Sequence, residues 1–160
     1  MNLQELVYPL SWAGIGIAIL CGLIVGLERQ LSGKPTGIRT SALICLGAYA
    51  FVAIGSLITE NQDITRIVAQ IITGIGFIGA GVILSREGIV IGVTSAAVIW
   101  VLAGIGILIG FEKYTLAVLL SLITVGILVG VNVLEKIFKS LRQGVYKKFS
   151  KKKQRDREGE

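Results

Sequence analysis

Five apolar runs constrain this chain more than any other feature: residues 10–27, 41–58, 67–84, 89–109 and 114–134. Each approaches or exceeds the length needed to cross about 30 Å of hydrocarbon. In lipid, helices and closed barrels are the structures that satisfy every backbone polar group, and uninterrupted runs this long specify helices. The chain is therefore predicted to be all-α, a polytopic membrane protein with five transmembrane helices. The intervening links, 28–40, 59–66, 85–88 and 110–113, are too short to hold a domain.

Composition agrees. The chain is 53% hydrophobic and 16% charged, whereas soluble chains run to about 45–50% apolar and about 25% charged. Residues 1–134 hold six Lys/Arg and six Asp/Glu; residues 135–160 hold ten and four, so the whole net charge of +6 lies in that segment. Two domains follow: a membrane domain over 1–134 and a basic cytoplasmic tail over 135–160. Leu134, Phe138, Leu141, Val145 and Phe149 draw a narrow apolar stripe along the tail, the pattern of an interfacial amphipathic helix. From Ser150 onward the tail reads as disordered. Its partner is anionic lipid rather than nucleic acid, because no folded basic surface accompanies the charge.

Orientation follows from the basic residues, which mark the cytoplasmic side. Arg29, Lys34 and Arg39 lie in the first link, Arg86 in the third, and ten more in the tail. The second link sets Arg66 against Glu60 and Asp63, and the fourth sets Lys113 against Glu112. An outside N-terminus and an inside C-terminus satisfy every link. The start of the chain lacks a basic signal-peptide region, and the first run ends in Glu28-Arg29 rather than at a small-residue cleavage site, so that run is read as a retained helix. Cys21 and Cys45 sit inside apolar runs without C-x-x-C spacing, and the chain has no histidine. Nothing here suggests a disulfide framework, a zinc site or histidine catalysis.

Gly74, Gly76 and Gly79 spell G-x-G-x-x-G, the spacing of a dinucleotide-binding turn. That fingerprint needs a preceding strand and an acidic residue about twenty positions on. Here it lies inside an uncharged membrane run, and the glycines are read as helix-packing residues together with Gly81. In the first run Gly14, Ala18, Gly22 and Gly26 recur every four residues on one helix face, a groove that lets another helix approach closely. Whether its partner lies in the same chain or a second copy is open. Gly126 and Gly130 form a similar face in the fifth run.

Two polar groupings stand out. At the cytoplasmic boundary, Glu28, Arg29, Arg39, Thr40, Arg86 and Thr94 fall on one side, with Glu28 expected to pair with Arg39 or Arg86. Ionisable groups at membrane depth are functional candidates, although an interfacial ion pair that fixes topology is the plainer reading. In the third run Asp63, Arg66, Gln70 and Thr73 line one helix face at about 100° per residue, continuing to Phe77 and Gly81. Gly76 and Gly79 face the other way. This helix is predicted to be contacted on two sides and central to the bundle. A buried Gln70 amide needs hydrogen-bond partners, as interhelical glue or as the lining of a small polar cavity. Trp100 is too deep for an interfacial belt and is expected to pack inside. The link 85–88 is expected to make helices 3 and 4 an antiparallel hairpin.

Three blocks in order resemble the MgtC/SapB family of bacterial inner-membrane proteins. They are Gly22-Leu-Ile-Val-Gly-Leu-Glu28-Arg29 with Gly33-Lys-Pro-Thr-Gly-Ile-Arg39-Thr40; Arg66-Ile-Val-Ala-Gln70 through Gly81; and Gly92-Val-Thr94-Ser95-Ala96-Ala97 with Trp100. The resemblance implies a multi-pass helical domain in the inner (plasma) membrane and a role in adaptation to low magnesium, acid or host-cell stress, including virulence. It also implies links to Mg²⁺ homeostasis and to the regulation of membrane ATPases. The best-known members append a soluble regulatory domain where this chain carries its basic tail, so ligand sensing by such a domain is not carried over.

The residues favour a non-enzymatic regulator acting through helix contacts with a membrane partner: an ATPase, another membrane protein or a second copy in a homodimer. The alternative is a small transporter or channel, for Mg²⁺ or another ion, with its polar site near Glu28/Arg39 or Gln70. Mg²⁺ wants oxygen ligands in octahedral geometry, and the five runs carry no mid-membrane carboxylate, so no metal ligand or cofactor is assigned. No Ser/His, Asp/Asp or metal-ligand pair supports an enzyme.

Overall fold

The fold is that of a computed structural model, described for residues 5–58, 64–86 and 89–137 and, at Arg86, Ile89, Glu135 and Lys136, for the backbone alone. Asp63, Glu87 and the tail from residue 138 lie outside the described residues, so the reading of the tail as a separate amphipathic segment lies outside them too.

Five helices are long and apolar enough to cross a membrane: α1 (Trp12–Leu31), α2 (Ile38–Ile58), α3 (Ile64–Gly81), α4 (Val93–Gly110) and α5 (Tyr114–Ile137). The first two overrun their apolar stretches by a turn at the loop between them. Glu28 and Arg29 therefore lie inside α1, and Arg39 and Thr40 open α2. Backbone hydrogen bonding continues past the apolar edge until the Ser32 N–H reaches the Glu28 carbonyl at 3.0 Å. Between α3 and α4, a turn was expected over residues 85–88. Instead two short antiparallel strands, β1 (Leu84–Arg86) and β2 (Ile89–Ile91), pair Leu84 with Ile91. Runs of three residues carry too little alternation to announce themselves as strands. Gly92 then turns the chain into α4 with φ +92°, against the Val82 carbonyl. A side chain would be strained there and would strike that carbonyl.

The bundle is built on close backbone approach. A Cβ at Gly22 would meet the Ala42 backbone, and one at Gly26 would lie 2.7 Å from the Ile38 Cα. The small-residue groove of α1 thus receives α2 of the same chain, antiparallel. Gly106 of α4 rests on the Cys45 carbonyl of α2 in the same way, and the Cys45 thiol donates to the Leu102 carbonyl at 3.4 Å. This makes α2 and α4 parallel neighbours. With no hydrophobic drive between helices in lipid, such contacts supply dispersion attraction that longer side chains would forfeit.

At the far end Ser11 caps α1, accepting from the Gly14 N–H at 2.9 Å, a contribution of about 1 kcal/mol. Its own N–H donates to the Tyr49 hydroxyl at 2.7 Å, and the Tyr114 hydroxyl lies 3.4 Å from its Oγ. One serine therefore ties α1, α2 and α5 together.

Helix α4 touches all four other helices, and nine of its eighteen residues are buried. Helix α3 is not central. Among its residues Gly79 alone is buried, against Ala96 of α4. Polar residues and glycines in a membrane helix signal contact, but within this chain that contact is made on one side. Trp100 is likewise corrected: it lies 56% exposed on the outer surface of α4, because Val98, Ile99, Leu102 and Ala103 already fill the inward face.

Candidate functional site

Two polar features remain once the packing is accounted for. The first lies where the end of α1 meets the start of α2. Arg29 folds along its own helix onto Glu28: Nη2 donates to Oε1 at 2.7 Å, and Nε donates to Oε2. Ser32 Oγ also donates to Oε1, at 2.9 Å. Arg29 is 2% exposed and Glu28 9%. Burying either charge alone is expensive, and a two-point pair with a third donor is the arrangement that offsets it. The expected pairing with Arg39 is not formed. Arg39 and Thr40 are exposed on the first turn of α2, a quarter-turn or more from the α1 groove, and Thr94 is exposed at the start of α4. Arg86 belongs to β1.

Three buried hydroxyls belong to this end of the bundle, of which the sequence marked Ser95 and neither Thr36 nor Ser41. Thr36, Ser41 and Ser95 are fully or almost fully buried, and among the described residues Thr36 Oγ1 and Ser41 Oγ have no hydrogen-bond partner. A cap-like Thr or Ser after a Pro/Gly turn usually reads as local backbone bonding, so only tertiary packing reveals these as orphaned. Such a group costs about 1–3 kcal/mol unless water or another partner reaches it.

The second feature is the outward face of α3. Arg66, Gln70, Thr73, Phe77 and Gly81 are all exposed, and Phe77 is 85% so. Thr73 satisfies itself by donating to the Ala69 carbonyl at 2.9 Å. Gly74, Gly76 and Gly81 have open space where a Cβ would stand, as do Gly126 and Gly130 of α5. The close approach expected at these glycines is therefore not made within the chain. Gly55 of α2 does meet Ile67 of α3. Beside that contact α2 and α3 splay, leaving a groove of about 760 Å³ that runs from Thr40 to Ile58 along α2 and from Arg66 to Ile78 along α3. Its lining is apolar apart from Thr40, Arg66 and Gln70.

Among the described residues no three His, Cys, Asp or Glu side chains converge on a point that could hold a metal ion. Residues 15–137 match the sequence profile of the MgtC family. The chain belongs to the MgtC family. It is 45% identical over 119 residues to YhiD of Escherichia coli (strain K12), whose name designates it a candidate magnesium transporter; the match covers 69% of this chain and 55% of YhiD. It is 34% identical over 131 residues to Protein MgtC of Brucella abortus (strain 2308), covering 81% of this chain and 55% of that protein. With Protein MgtC of Salmonella typhimurium (strain LT2) it shares 44% identity over 107 residues, 66% of this chain and 46% of the relative. The chain thus spans about half the length of the curated relatives it matches. No solved structure matches it.

Proposed function

We propose that this MgtC-family membrane protein serves magnesium homeostasis and stress adaptation in the bacterial inner membrane as a non-enzymatic regulator, working through contacts of its membrane helices with a partner. One observation carries the reading: Gln70, Thr73, Phe77 and the uncovered glycines of α3 are exposed rather than packed inside the bundle. Lipid tails cannot hydrogen-bond an amide, and open glycine surfaces favour a helix over an acyl chain. The basic tail faces the cytoplasm in this reading and engages anionic lipid.

The test is complementation of a deletion strain grown at low magnesium, with membrane insertion checked by blotting. Gln70→Leu and Gly74→Leu are expected to insert normally and fail to restore growth. Normal growth with both variants removes α3 from the mechanism.

A second reading, transport of Mg²⁺ or another small ion, is favoured by the orphaned Thr36 and Ser41 hydroxyls at the Glu28–Arg29 end, where a polar occupant would find oxygens. The name of YhiD points the same way. Purified protein in proteoliposomes decides between the two: Mg²⁺ uptake no faster than into empty vesicles is expected, and faster uptake overturns the regulator.

A further inference from the structure

Gln70 is the group to follow. It lies six residues into α3, about 9 Å along the axis from Ile64, and its side chain makes no hydrogen bond among the described residues. Its amide offers two donors and an acceptor to a surrounding that, in lipid, has neither.

The adjoining groove is long enough for a transmembrane helix. From Thr40 to Ile58 it follows nineteen residues of α2, a rise of about 27 Å at 1.5 Å per step. That is nearly the whole hydrocarbon thickness of about 30 Å. Tails from the two leaflets together could fill that length, but they cannot hydrogen-bond the amide, whereas a transmembrane helix can do both.

A second copy of this chain supplies what is needed without a further assumption. A two-fold axis along the membrane normal sets two α3 helices side by side, pointing the same way, with identical residues at identical depth. A carboxamide both donates and accepts, so two facing glutamines satisfy each other. Phe77, the most exposed large hydrophobic side chain of the described residues, would then face the open surfaces of Gly74 and Gly81, about one turn to either side of it. We propose that the α3 face and the α2/α3 groove form the two-fold interface of a homodimer, with Gln70 of each copy hydrogen-bonded to Gln70 of the partner subunit. This rests on the helix-contact reading and names its partner.

The test is oxidative cross-linking in native membranes. Cys21 and Cys45 are buried and free, so Phe77→Cys in the otherwise unaltered chain reports on α3, with Leu23→Cys on the outward face of α1 as control. Dimer is expected in the majority of Phe77→Cys chains and absent with Leu23→Cys. Adding Gln70→Leu is expected to lower the yield at least five-fold (about 1 kcal/mol), and Gln70→Asn less. Should Phe77→Cys insert poorly, Thr73→Cys on the same stripe takes its place. Cross-linking at Leu23 but not on α3 overturns the proposal. A product on α3 with the mass of another membrane protein also overturns the second copy while leaving the helix-contact reading standing. A monomer with no product at any α3 position overturns both.

Discussion

Arg29 turns back along α1 and holds the carboxylate of its sequence neighbour Glu28 at two points, out of reach of the surroundings. Neither residue can be neutralised alone without leaving its partner's charge buried. Glu28→Gln or Arg29→Met is expected to cost about 3–5 kcal/mol, and the double variant less than either single change. Unfolding curves of the four proteins in one detergent check this; equal and additive losses would show that the two side chains act separately.

The α1–α2 contact gives a sharper contrast. Gly22→Ala puts a methyl group on the Ala42 backbone and is expected to cost about 1–3 kcal/mol. On the same helix Gly16→Ala meets nothing within 4 Å. Helix propensity alone then acts, stabilising by up to about 1 kcal/mol. Opposite shifts in unfolding midpoint are the expected result.

At Gly92 the backbone itself is decisive. With φ at +92° and the Val82 carbonyl against it, Gly92→Val is expected to lose about 1–3 kcal/mol from backbone strain and to loosen the β1–β2 ribbon. Faster proteolysis within residues 82–92, beside unchanged cleavage elsewhere, is the readout.

The proposed orientation is checked by labelling. Lys34→Cys is expected to react with a membrane-impermeant thiol reagent in inverted vesicles, and Lys113→Cys in intact spheroplasts. Both residues are exposed, so accessibility does not limit either. The reverse pattern places the basic tail outside.

How much of this was legible in the sequence depends on what kind of signal each feature leaves. The five spans were, since apolar length is enough to define a helix in lipid. So was the Gly14–Ala18–Gly22–Gly26 groove, whose four-residue period is a property of one helix; its partner, α2, was not. The place of α3 was misjudged because a glutamine and glycines in an apolar run do not say whether the helix lies at the centre of its bundle or at the rim. Glu28 was recognised and its partner missed: successive residues point about 100° apart on a helix, yet the long side chain of Arg29 folds back onto its neighbour. Thr36 and Ser41 were invisible, because a buried hydroxyl and a solvated one are spelled alike; Ser95 was marked, with Thr94, for either a local bond or this end of the bundle. The glycines Gly106 and Gly110 of α4 went unmarked in an apolar run that is buried on most of its faces.

The position of α4 also bears on how the bundle is made. Helix α4 packs among α1, α2 and α5, while α3, which precedes it, stays at the rim. Cys45, Ala48 and Val52 of α2 are covered by Leu102, Gly106 and Gly110, which lie two helices further along the chain. That surface of α2 is complete only once α4 is in the membrane, in whatever order the other contacts form.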